Sequence, residues 1–155
     1  MNTILVPVDF SDVTEPLVKT VAGLANALNA RVILLHVMGN EAVPAVGPEG
    51  IPPVGAGAGI ALAMPAARDI KQYVNKLESL KARFSGSSFG VETLRDDQEE
   101  LPARAILEVS RKQKADMIVM GSHGHGALHH LLTGSVTEGV LKAATCPVLV
   151  VPSKK

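Results

Sequence analysis

Cysteine is almost absent from this chain: Cys146 stands alone among 155 residues. No internal disulfide can form, and without a second cysteine there is no thiolate pair for zinc. Cys146 therefore reads as a small core residue. No run approaches the roughly 18 consecutive apolar residues of a membrane helix. The opening MNTILVPVDF lacks a basic stretch and is interrupted by Asp9, so it does not read as an export signal. These absences predict a cytoplasmic protein with no membrane partner. Net charge is missing as well, with 15 Lys plus Arg against 15 Asp plus Glu. A balanced chain sets up no global field that attracts nucleic acid or an anionic surface, so any anion site must be local.

Two common nucleotide-binding motifs are also lacking. The phosphate loop GxxxxGK followed by Ser or Thr does not occur. Gly55-Ala56-Gly57-Ala58-Gly59 neither follows a clear strand nor opens a clear helix, so it fails the dinucleotide fingerprint.

What is present is a regular alternation. Thr3 to Val8 and Arg31 to Val37 are nearly unbroken apolar runs, the pattern of strands covered on both faces. Between them Leu17, Val21, Leu24 and Leu28 mark one helical stripe, which makes a βαβ unit. Ser11, Asp12 and Thr14 are all candidate N-caps, and Pro16 must lie near the first turn. Ile70, Tyr73, Val74, Leu77, Leu80 and Phe84 mark a second helix that Gly86 would close, followed by a short strand over about 90–94. Pro102 opens a third helix carrying Ala105, Ile106 and Val109. Asp116 to Met120 reads as a fourth strand, 135–144 as a final helix, and Pro147 to Val151 as a fifth strand. This length and rhythm predict a single α/β domain over 1–155 with a mostly parallel, doubly wound sheet.

Residues 39–64 break the rhythm, holding six of the 14 glycines and four of the 10 prolines. They read as a long loop. Its Val43, Val46, Ile51, Val54, Ile60 and Leu62 leave two readings open, ordering against a ligand or partner and simple mobility.

Two connections compete for a ligand at the carboxyl ends of the strands. One is Pro7-Val8-Asp9-Phe10-Ser11; the other is GSHGHGALHHLLTGS, Gly121 to Ser135. Glycines allow close backbone approach, and a helix start presents unpaired amides, so the second has the makings of an anion cradle. Ser135-x-x-Glu138 equally fits an ordinary capping box, and Asp9 equally fits a cap on the next helix.

Gly121-Ser122-His123-Gly124, nine residues and then Gly134-Ser135 resemble the G-x2-G-x9-G-S/T motif of the nucleotide-binding universal stress proteins. Ile4 to Ser11, Leu34 to Val37, Ala115 to Gly121 and Cys146 to Pro152 look like that family's first, second, fourth and fifth strands. The resemblance covers nearly the whole chain except 39–64. It implies a Rossmann-like fold of the adenine nucleotide alpha hydrolase type, with a five-stranded parallel sheet in the order 3-2-1-4-5 and helices on both faces. It implies ATP as ligand, with ADP or AMP as alternatives and magnesium accompanying the nucleotide.

By the same resemblance Asp9 meets the ribose and the backbone of Val37 faces the adenine. Pro7 and Met120 line the base pocket, Val8 counts among the nucleotide-binding residues, and Gly121, His123, Gly124, Gly134, Ser135, Val136 and Thr137 surround the ribose and phosphates. A homodimer through the fifth strand is implied as well, which would cover the apolar edge Val148 to Val151.

Many relatives carry arginine or lysine between the second and third glycines, where this chain has His125, His129 and His130, with His123 just before. Histidines of ordinary pKa are mostly neutral at pH 7, so nucleotide affinity is expected to rise as pH falls from about 7.5 to about 6. His125 and His129 are also spaced to share a helix face around a metal, but no cysteine or acidic residue lies in the segment. His36, inside an apolar strand, reads as a satisfied core histidine.

The motif lacks a lysine and an arginine finger, so slow hydrolysis is the most that is expected of it. Three functions follow as alternatives: a regulatory ATP-binding stress protein, a slow ATPase and a nucleotide-free interaction module. With no tryptophan in the chain, co-purified nucleotide would stand out near 260 nm.

Overall fold

The computed structural model describes residues 2–37, 67–84, 91–96, 101–122 and 135–152. Among the described residues nine elements alternate. They are β1 (Thr3–Pro7), α1 (Thr14–Leu28), β2 (Arg31–Val37), α2 (Ala67–Ala82), β3 (Val91–Asp96), α3 (Pro102–Lys112), β4 (Met117–Gly121), α4 (Ser135–Ala143) and β5 (Val148–Val151). The strands form one sheet in the order β3-β2-β1-β4-β5, and all four pairings are parallel. The expected 3-2-1-4-5 order is therefore the order found.

Chirality explains where the helices go. Right-handed crossovers running from β1 out to β3 place α1 and α2 on one face, and those running back to β4 and β5 place α3 and α4 on the other. Strand residues then alternate between two cores. Ile4, Val6, Val32, Leu34 and Val119 pack with Leu17, Val18, Val21 and Ala25 of α1 and with Leu77 and Leu80 of α2. Leu5, Ile33, Leu35, Ile118 and Met120 pack with Ile106 of α3 and Val140 of α4. A one-residue slip of β1 or β2 would exchange the two sets of side chains, so these cores fix the register.

The first helix differs from its expected face. Leu17 and Val21 are buried, but Val18 and Ala25 complete the contact, whereas Leu28 is exposed. Ala25 lets the helix approach the sheet closely, which turns the stripe away from Leu28. Nor do Ser11, Asp12 or Thr14 act as the cap: Val13 takes that position without a side-chain hydrogen bond, and Pro16 falls in the first turn as expected. At the other end Asn29 adopts a left-handed conformation with φ 49°, and the Ala30 amide donates to the Ala25 carbonyl at 3.0 Å, a common way of closing a helix.

In α2, Leu77, Leu80 and the following Phe84 are buried while Val74 is exposed. The third strand ends at Asp96, two residues beyond the expected end, and Pro102 begins α3 as expected. The 39–64 loop and Gly86 lie outside the described residues. The α3 and α4 helices meet closely at Gly139, where an added Cβ would come within 2.8 Å of the Ala103 Cβ. Among the described residues no helix is long and apolar enough to cross a membrane.

Candidate functional site

The order reverses between β1 and β4, so the chain leaves the sheet in opposite directions from two adjacent strands. A crevice at such a point is where open parallel sheets bind ligands. Ile4 pairs with Met117 and Leu5 with Ile118, which brings the exits of β1 and β4 side by side. Both candidate connections named from the sequence thus open at one edge of the sheet.

The exit of β1 is built from side chains. Val8 is buried, and its amide donates to the Leu35 carbonyl at 2.8 Å, extending the ladder with β2 one residue beyond the strand. Asp9 is exposed, and its Oδ1 accepts from the Ser11 amide at 3.1 Å and the Ser11 hydroxyl at 2.7 Å. This is an Asx-type turn. The carboxylate therefore closes its own turn rather than capping α1. Phe10, between them, has φ 60°, a left-handed conformation that costs a bulky residue about 1–2 kcal/mol. Such strain persists only where neighbours hold it.

The neighbours are His36 and the rings around it. His36 is buried, and its Nδ1 lies 2.8 Å from the Val8 carbonyl oxygen, so the ring carries its proton on Nδ1 and donates it there. The ring stacks on Tyr73 of α2 with centroids 4.5 Å apart and meets Phe10 at 4.8 Å. Lys76 of α2 holds its Nζ 5.3 Å from the Phe10 ring centre and 5.5 Å from that of Tyr73. Burial lowers the His36 pKa; the Val8 carbonyl and the Asp9 charge act against that, and Lys76 adds to it. The expectation of a satisfied core histidine is met. The aromatic and cationic company was not visible in the sequence, because Phe10 depends on its backbone turn and Tyr73 looked like one more core position of a helical stripe.

The exit of β4 is built differently. Gly121 pairs with Val151 of β5, and the amide of the buried Ser122 donates to the Val151 carbonyl at 2.8 Å. Thr137, buried in the first turn of α4, donates its hydroxyl to the Gly121 carbonyl at 2.9 Å. That bond ties the start of α4 to the end of β4 and commits the Thr137 hydroxyl to the backbone. Ser135, the first helical residue, is exposed, and Val136 packs against the α3/α4 core. The capping-box alternative is not what forms, because Glu138 reaches forward to Lys142 at 2.6 Å.

The remaining sequence candidates sort by face. Met120 and Val37 belong to the α3/α4 side, and strand alternation puts Pro7 with Leu5 on that side. The Val8 side chain lies in the opposite core, so Val8 can offer this crevice only its backbone. His123, Gly124 and Gly134 lie outside the described residues, as do His125, His129 and His130 with their metal alternative. Cys146 is half-buried, its Sγ 3.7 Å from the Ser110 hydroxyl, and it packs against the α3/α4 core.

Pro7 and Val37 are half-buried, Met120 is buried, and the exposed Asp9 stands at the β1 exit. Known proteins resemble this chain over nearly its whole length. A universal stress protein of Methanocaldococcus jannaschii is 31% identical over 158 residues, covering 97% of this chain and 94% of its own. Its solved structure superposes with a TM-score of 0.74 over 99% of this chain and 97% of that one. The universal stress protein of Archaeoglobus fulgidus in complex with dAMP superposes at 0.67, 19% identical, over 97% of each chain. Another universal stress protein, solved in complex with cAMP, also superposes at 0.67, 21% identical, over 99% of this chain and 98% of that one. The family model described as "Universal stress protein family" matches residues 1–152, and the chain belongs to that family.

Proposed function

We propose that the chain binds an adenine nucleotide, ATP in the first place, across the exits of β1 and β4, and that occupancy sets its partner or oligomeric state. The observation that carries this reading is the position of the order reversal. It lies between the Asp9 turn and the glycine motif that begins at Gly121, where doubly wound sheets take nucleotides. The bound dAMP and cAMP of the two distant structural relatives support the adenine part of the reading.

In this arrangement the Asp9 carboxylate accepts from a ribose hydroxyl, and the Val37 backbone faces the base between Pro7 and Met120. Gly121, His123, Gly124, Gly134 and Ser135 surround the phosphates, with any magnesium held by those phosphates. Val136 and Thr137 shape the helix start, Thr137 through the bond it gives to Gly121. The homodimer belongs to the same proposal. β5 is an edge strand, and its Leu149 is 37% exposed, an apolar edge that a second copy would cover.

Mass spectrometry of ligand released from freshly purified protein, with calorimetric titration of ATP into the stripped protein, tests the reading. Asp9→Ala should weaken ATP binding by about tenfold, the loss of one charged hydrogen-bond acceptor. Stripped protein that takes up no ATP at millimolar concentration would refute the proposal.

A further inference from the structure

His36 stands outside the crevice proposed for the nucleotide, on the α1/α2 side of the sheet, yet it touches the one peptide that leads into Asp9. The Val8 amide is already held by the Leu35 carbonyl, and the Val8 carbonyl accepts from the His36 ring at 2.8 Å. Both ends of Val8 are therefore fastened to β2, the first by backbone and the second by a side chain. The Val8 carbonyl belongs to the peptide plane that continues into Asp9, so its direction sets where the Asp9 carboxylate begins. The next residue, Phe10, is in the left-handed region, a conformation that relaxes unless something holds it. Its ring lies against His36, and His36 in turn lies against Tyr73 of α2.

We propose that His36 is the positioning residue for Asp9: through its hydrogen bond to Val8 and its stacking between Phe10 and Tyr73, it lets α2 set the attitude of the β1 exit. The proposal rests on the reading of Asp9 as a nucleotide contact only for its functional consequence. The positioning itself exists in the empty protein.

Three groups face the ring with charge or a dipole: the Val8 carbonyl, Asp9 from its own turn and Lys76 from α2. Lys76 sits over the Phe10 and Tyr73 rings, so the cluster has a cation of its own. A neutral His36 ring fits that company better than a second cation.

Two variants separate the donor from the ring. His36→Asn retains an amide donor in place of Nδ1 but loses the aromatic stack; His36→Phe retains a ring and loses the donor. NMR order parameters of Asp9, Phe10 and Ser11 are read in the nucleotide-free full chain, and ATP affinity is read by calorimetry.

In wild type the three amides should stay near the rigid value of about 0.85; in His36→Asn the Asp9 amide should stay there while Phe10, without the His36 stack, falls part of the way, and in His36→Phe the Asp9 amide should fall towards about 0.6. ATP binding should weaken about tenfold in His36→Phe and by less than about threefold in His36→Asn, the difference of one hydrogen bond. Rescue by Asn is the part that a merely structural histidine would not produce. Should His36→Phe fail to fold, Tyr73→Leu carries the test, with a drop in the Phe10 and Ser11 order parameters expected.

Order parameters unchanged in the folded variants would overturn the positioning role. If wild type binds no ATP while the order parameters fall as described, the nucleotide reading fails and the positioning role stands.

Discussion

The two exits that flank the order reversal are held in opposite ways. The chain leaves β1 under the control of functional groups, with Asp9 closing on Ser11, His36 donating to the Val8 carbonyl, and Phe10 packed against His36 in a strained conformation. Among the described residues it leaves β4 through backbone contacts, the Gly121 pairing and the Ser122 amide, together with the side-chain bond from Thr137. The first arrangement answers to charge and ring chemistry. The second answers to the seating of α4 and its one hydroxyl. A crevice bounded by one exit of each kind can be tuned from the β1 side without disturbing the β4 side.

The largest expected effect belongs to Thr137, the side chain that ties α4 to the β4 exit among the described residues. Thr137→Val removes a buried donor while keeping the β-branched shape, and it leaves the Gly121 carbonyl without that partner. The loss should be about 1–2 kcal/mol, read as a lower urea midpoint with an unchanged slope. A variant as stable as wild type would mean that α4 is seated by packing alone.

Legibility from sequence divides along the same line. β1, β2 and β4 announced themselves because residues such as Ile4, Leu5, Ile33 and Ile118 are buried on both faces of the sheet, and a covered parallel strand has to be apolar throughout. The turn after β1 was legible at Asp9 because an aspartate permits it, while Gly124 and Gly134 of the glycine spacing lie outside the described residues. Helix faces were read less well. Hydropathy favoured Leu28 over Ala25, but closeness to the sheet favours the smaller residue. Caps were misread because Asp9 and Ser11 satisfy each other and Glu138 pairs forward with Lys142, choices settled by tertiary placement. The Phe10, His36, Tyr73 and Lys76 cluster joins residues from three separate stretches of chain, and no local pattern announces it.

Burial holds the His36 pKa below its ordinary value of 6.5. Below that value the unfolded chain takes up a proton that the native ring resists. Stability from this source is thus complete above about pH 6.5 and is lost as pH falls through the lower native pKa, with a ceiling of about 1.4 kcal/mol per pH unit. Glu15, Glu108, Asp116 and Glu138 also have lowered pKa values, but theirs lie below the ordinary 4.5 of glutamate or 3.8 of aspartate, so they act in a more acidic window. Urea unfolding at pH 7.5 and 5.5 should show a smaller difference in His36→Asn than in wild type. Equal differences would remove His36 as the source.

The smallest expected effect concerns Phe10, where two contributions of similar size oppose each other. At φ 60° a non-glycine residue is strained by about 1–2 kcal/mol, and Phe10→Gly releases that strain. The same change removes the ring from His36 and Tyr73, a loss of about 0.5–1.5 kcal/mol, and it loosens the unfolded chain by a further 0.5–1 kcal/mol or so. Phe10→Gly should therefore change stability by less than about 1 kcal/mol in either direction. Phe10→Ala keeps the strain and loses the ring, so it should be the less stable of the two. That ranking is the informative quantity, because loss of the ring is common to both variants and cancels. If alanine proves more stable than glycine by about 0.5–1 kcal/mol, the unfolded-chain term alone, the left-handed turn at the β1 exit relaxes once the ring is gone, and the aromatic cluster is what holds it.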